Sequence, residues 1–164
     1  MDLMDIEDHE LYFDQPLPED VKQLIQQAAS LYHKPESERM LLEALKLEPS
    51  HPMVHVALYR YYYYKHRLED ALKIAERTLH DSGTRLGFSA SWRQATLERL
   101  HASEKIMAEV RYYLLALKGA GFIYLRLGHI EEGLMRLQKV ADMDAEDRLG
   151  TRSIIQVVEN REEE

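Results

Sequence analysis

Apolar residues recur along most of this chain at intervals of three and four, the spacing that gathers them on one side of an α-helix. Val21, Leu24, Ile25, Ala28, Ala29 and Tyr32 form the first stripe, opened by Pro18-Glu19-Asp20 and stopped by Lys34-Pro35. Proline suits a first helical turn, and acids there meet the positive end of the helix dipole. Met40, Leu41, Ala44, Leu45 and Leu47 form the second stripe, over residues 36–47. From Pro52 to Gly83 the pattern predicts two antiparallel helices with a turn at His66-Arg67. The first is crowded with aromatics; the second carries Ala71 and Ala75 where helices must approach closely.

Beyond Gly83 the periodicity continues. Thr84 to Ser89, with glycines at 83 and 87, reads as a flexible joint. Ser91-x-x-Gln94 has the form of a capping box, and Leu97, Leu100, Met107, Val110 and Leu114 extend a helical stripe without a proline. The spacing predicts one helix from about 91 to 101 and a longer one from about 103 to 127, separate or fused. A further helix pair follows from Leu114 to Ala145, with Gly128 at the turn and Gly133 at the crossing. Leu149, Ile154, Ile155, Val157 and Val158 predict a capping helix over 146–160, before an acidic tail at 161–164. The β-branched run there could favour a strand, but the chain offers no other strand to pair with it. Residues 1–17 stand apart: Asp2, Asp5, Glu7, Asp8 and Glu10 alternate with Leu3, Met4, Ile6, Leu11, Tyr12 and Phe13. This acidic-hydrophobic stretch reads either as a partly ordered arm or as one that docks on its own or a neighbour's groove.

Composition narrows the picture. With 7 glycines and 5 prolines in 164 residues, long helices are favoured over many-turned β architecture. A net charge of −8 disfavours general nucleic-acid binding, which needs a basic surplus to displace counterions. The lack of cysteine removes disulfides, thiol catalysis and thiolate metal sites. The acidic start is unlike a secretory signal, and no apolar run approaches the ~20 residues of a membrane span, so a cytoplasmic location with no membrane partner is expected.

Pro18 and Pro52 open successive hairpins 34 residues apart, the period of a tetratricopeptide repeat (TPR). In the second hairpin Leu58, Tyr62 and Ala71 fall on that repeat's leucine, tyrosine and small-residue positions. Ser37, Ala44 and Pro49 fit the first unit, and Gly121, Tyr124, Gly128, Gly133 and Leu137 fit a third, whose run YLRLGHIEEGL resembles a TPR turn. His55, Tyr59, Ala75 and Gly83 depart from the usual tryptophan, small, aromatic and proline residues. The chain therefore resembles the TPR family. The resemblance implies an all-α, right-handed solenoid of helix hairpins in one domain, with units at about 18–51, 52–83 and 114–145. A helical insertion at 84–113 extends the third unit's first helix backwards into a long central helix.

The resemblance also implies a non-enzymatic adaptor or chaperone-like protein that holds a peptide or partner helix on a concave face. In its frame Lys22, Gln26, Met53, Val56, Arg60, Tyr63, Tyr64, Lys118, Phe122 and Arg126 face that hollow. Lys22, Arg60, Lys118 and Arg126 would give it a basic lining on an acidic protein, suited to a protein or peptide partner with acids and apolar anchors. Tyrosine adds broad, rigid contact area. The carboxylate clamp of chaperone-tail binders is matched by Lys22 alone; Gln26, Ala57, Leu115 and Gly119 replace its other members. The alternative is a homodimer through an exposed stripe of Leu100, Met107, Val110 and Leu114 on the long helix.

No phosphate loop, dinucleotide fingerprint, nucleophile elbow or zinc-protease motif occurs, so no enzyme and no cofactor are expected. His51 and His55 are four apart, but no third ligand is spaced nearby, and capping and packing are their expected roles. The pairs Glu69-Asp70 and Glu131-Glu132 sit at helix starts, where they complement the dipole.

Overall fold

A computed structural model describes residues 15–88, 91–98, 100–101 and 103–162. They form seven α-helices: α1 (Glu19–Ser30), α2 (Glu36–Leu47), α3 (Pro52–Tyr64), α4 (Leu68–Leu86), α5 (Glu104–Arg126), α6 (Ile130–Met143) and α7 (Thr151–Glu162). A 3-10 turn spans Trp92–Gln94, and no strand occurs among the described residues. No described helix is long and apolar enough to cross a membrane.

Each helix packs on its neighbours in sequence, and α5 makes its most extensive contacts with α4 and α6. The small residues expected at crossings are there: Ala44, Ala71 and Ala75 are fully buried. Ser37 is buried too, its hydroxyl donating to the Ala28 carbonyl at 2.7 Å and tying α2 to α1. The α3–α4 turn falls at His66, which adopts a left-handed φ of 58°, and Arg67 then donates 2.6 Å to Glu38 of α2 and 2.9 Å to Asp70 of α4. Gly128 turns α5 into α6 at φ 85°. Where those helices cross, a Cβ on Gly133 would lie 2.8 Å from the Gly121 carbonyl.

Two predicted features are corrected. Thr84 to Leu86 belong to α4, which runs past Gly83 and is closed by Gly87 at φ 75°; Ser89, the end of the expected joint, lies outside the described residues. The helix expected over 91–101 is absent from the described part of that stretch, which holds only the 3-10 turn. Ser91 makes no capping bond from its side chain. Ala95 is instead extended (φ −61°, ψ 135°) and buried, with Trp92, Leu97 and Leu100 against the main core. Docking these side chains individually replaces the local helical preference. The long helix starts at Glu104, where the Ser103 hydroxyl accepts from the Ile106 amide at 3.2 Å.

The last helix has its own support. Leu137, Ala141 and Ile155 form a small core separate from the main one, with Leu125, Leu134 and Ile154 around it.

Candidate functional site

Helices α1 and α3 face each other across a hollow of about 290 Å³. From α1 come Ile25, Ala28, Ala29 and Tyr32, one helical face. From α3 come Met53, Val56, Ala57, Arg60, Tyr61 and Tyr64, again at helical spacing, and Ser37 and Leu41 of α2 also line it. Space exists here because Ala28, Ala29 and Ala57 are short where larger side chains would fill the seam. Tyr32 meets Tyr61 edge-on at 5.9 Å, and the Lys65 ammonium lies 4.2 Å over the Tyr32 ring. Tyr64 is 59% exposed. Arg60 is half-buried, and its Nε is shielded from solvent without a hydrogen-bond partner. An unmet donor beside apolar walls favours a ligand that brings an acceptor.

The opposite end of this hollow, at Met53, is built by His51. Its Nδ1 accepts from the Met53 amide at 3.1 Å and caps α3. That fixes the proton on Nε2, which donates to the Gln15 carbonyl at 3.1 Å.

A second hollow, of about 620 Å³, lies between α5 and α7. Phe122 and Leu125 meet Ile154, Val157 and Val158 across it, and Arg126 and Arg161 bring two guanidinium groups. Tyr63 and Arg126 join the two regions: Arg126 Nη1 donates to the Tyr63 hydroxyl at 3.4 Å, and the Tyr63 ring stacks on Tyr59 at 6.1 Å and meets Tyr64 edge-on at 6.3 Å.

Of the residues predicted from the sequence, Met53, Val56, Arg60 and Tyr64 share the first hollow, and Phe122 and Arg126 share the second. Tyr63 touches Arg126 between them. Lys22 and Gln26 are exposed on α1 and line neither hollow. Lys118 is corrected: it is 4% exposed, and its ammonium donates 2.6 Å to the Leu149 carbonyl just ahead of α7. It anchors the last helix and offers no charge to a ligand.

The dimer stripe is corrected as well. Val110 and Leu114 are buried and Leu100 is half-buried, which leaves Met107 as its exposed member. The α1 wall went unread, although one more turn from Gln26 reaches Ala29. The α7 wall needed knowledge of how that helix folds back.

The titratable groups serve the fold. His55 Nε2 donates 2.7 Å to the Pro49 carbonyl, and its Nδ1 lies 3.2 Å from the Thr78 hydroxyl. Burial pushes its pKa down, outweighing the Pro49 bond and the Asp81 charge. Arg67 holds the Glu38 carboxyl below its usual range, and burial with the nearby Glu38 charge pushes Tyr62 up to about 12. The two acidic pairs keep structural roles in which Asp70 binds Arg67 and Glu132 binds Arg136. Among the described residues no group of three or more histidines, aspartates and glutamates gathers as a metal site.

No protein-family model matches the chain, and no solved structure matches it. It is similar to the uncharacterized 19.8 kDa protein in the nifW 5′ region of Azotobacter chroococcum mcd 1. The two are 43% identical over 159 residues, covering 96% of this chain and 89% of the other.

Proposed function

The chain belongs to the same family as that Azotobacter protein, and we propose that it is a cytoplasmic, non-enzymatic adaptor or chaperone-like protein. It binds an acidic peptide segment or partner helix with apolar anchors in the α1–α3 hollow. The carrying observation is Arg60: a guanidinium Nε with no partner, held among Met53, Ala57 and Tyr64 at an open apolar cleft. Such a group favours carboxylates over neutral residues, and the aromatic wall gives contact area at low entropic cost.

The TPR-like reading of the fold is part of this proposal. Three helix hairpins in sequence support it, as do the small residues at their crossings and the left-handed turn at Gly128. On that reading the α1–α3 and α5–α7 hollows open on one concave face, and Tyr63 with Arg126 lies along the ligand's path.

The test is affinity capture from the native cell with the parent chain and with an Arg60→Glu, Tyr64→Ala variant. The variant is expected to lose the partner while keeping the parent's thermal midpoint. Retention of every partner overturns the reading.

A further inference from the structure

We infer that the chain's own residues 1–14 occupy the α1–α3 hollow and must leave it before a partner enters. Four observations converge on this occupant. The first is the tether. Gln15 is held by His51, the cap of α3, and Met53 two residues later lines the near end of the hollow.

The second is reach. Fourteen residues extend over at most roughly 45 Å at ~3.3 Å each, whereas the 13-residue α3 beside the hollow is about 20 Å long at 1.5 Å per residue. The segment can run the length of the hollow with chain to spare.

The third is composition. Leu3, Met4, Ile6, Leu11, Tyr12 and Phe13 can fill an apolar cleft, while Asp5, Glu7, Asp8 and Glu10 lie among them. The fourth is charge. Residues 1–14 hold six acids and no lysine or arginine, so the rest of the chain carries only −2 of the net −8. The acidic surplus is concentrated in the segment tethered at the mouth of a cleft whose arginine Nε has no partner. The segment thus has the chemistry expected of a partner, and its covalent attachment gives it a high effective concentration there.

The regulatory part of this inference rests on the hollow being the partner site; the docking itself does not. The chain has no cysteine, so one introduced thiol labels one place. A nitroxide on Gln26→Cys sits on exposed α1 beside the hollow, and one on Gln138→Cys sits on exposed α6 as a control. In the full-length 15N-labelled chain, the α1 nitroxide is expected to bleach the amide signals of residues 3–13, and the α6 nitroxide to spare them. Adding Arg60→Glu should return the lost intensity.

A mixture of spin-labelled 14N chain and unlabelled 15N chain separates the occupants. Bleaching seen only in that mixture means a second copy supplies the segment and overturns the inference, and so does no bleaching in either sample. If those amides stay unbleached while the Arg60→Glu, Tyr64→Ala variant still loses its captured partner, the partner site stands and only its self-occupancy falls. Bleaching without any change in captured partners removes the regulatory role instead.

Discussion

Helix α5 meets α3 and α6 through glycines two residues apart, and the two contacts are built differently. At Gly119 an added Cβ would lie 2.8 Å from the Tyr59 hydroxyl and 3.3 Å from the ring carbon bearing it. At Gly121 it would lie 3.1 Å from the Gly133 carbonyl, and a Cβ on Gly133 would lie 2.8 Å from the Gly121 carbonyl and 2.7 Å from Leu125. The first glycine makes room for the tip of a side chain. The second pair lets two backbones touch. In sequence these glycines look alike, yet one seam can be renegotiated by trimming a neighbour and the other cannot.

The largest expected effect tests the backbone seam. Gly133→Val should cost about 3 kcal/mol, since overpacking in a fixed crossing typically costs 1–3 and backbone cannot be trimmed away. Urea unfolding would show it as a lower midpoint. Adding Leu125→Ala should fail to restore stability, because the Gly121 carbonyl remains in the way.

The side-chain seam predicts a change of sign. Alone, Gly119→Ala should destabilise by about 1 kcal/mol, the clash exceeding the helix-propensity gain of up to about 1 kcal/mol. In a Tyr59→Phe background the same substitution should become neutral or stabilising. A double-mutant cycle without coupling would mean the hydroxyl is not the obstacle.

Arg136 stiffens the α6 side, and it is far more buried than Arg126, the exposed arginine that meets Tyr63 of α3. It is buried between the Trp92 and Tyr124 rings, at 5.0 and 4.1 Å, and bonds Glu76 and Glu132. Arg136→Met should cost about 1 kcal/mol, since both acids can reach water once released. Trp92 is the chain's one tryptophan, so a red shift of its emission would report the loosened turn directly.

The smallest effect concerns pH and the polar end of α3. His55 has its pKa lowered from 6.5 by burial, with Asp81 pulling it back up and Arg77 and Arg85 opposing protonation. Well above pH 6.5 the ring is neutral whether folded or unfolded, and its contribution is complete. As pH falls from 6.5 towards the folded value, only the unfolded chain gains the proton, so stability declines. Urea midpoints at pH 7.5 and 5.5 should differ less in His55→Gln than in the parent chain.

Much of this architecture is legible in the chain because it rests on local signals. The proline openings, the small residues at 37, 44, 71 and 75, the turn at His66 and the glycines at 128 and 133 each act within a few residues or at one crossing. What escapes is set by distant partners. Leu97 and Leu100 look helical by spacing, but Ala95 is drawn into the core as extended chain, and periodicity cannot weigh docking against local preference. Lys118 resembles an ordinary groove cation until the Leu149 carbonyl arrives from 31 residues downstream. Val110 and Leu114 form a stripe on paper; their burial depends on the helices that come to lie against α5. For the hollow, the α3 side was readable from the repeat frame and its run of tyrosines, while on the α1 side Ile25, Ala28, Ala29 and Tyr32 belong to the same apolar stripe that packs the helix, so spacing alone does not mark them as a wall.

The separate small core beneath α7 predicts that this helix opens on its own, below the global unfolding of the chain. Leu149 belongs to the main core and is pinned by Lys118, whereas Ile155 beyond it packs with Leu137 and Ala141 in the small core, with Leu125, Leu134 and Ile154 around them. The terminal helix can therefore peel away about that pivot while the other six stay folded, which would widen the space beside Phe122 and Leu125. Its amides should exchange with solvent deuterium at an opening free energy below the global one.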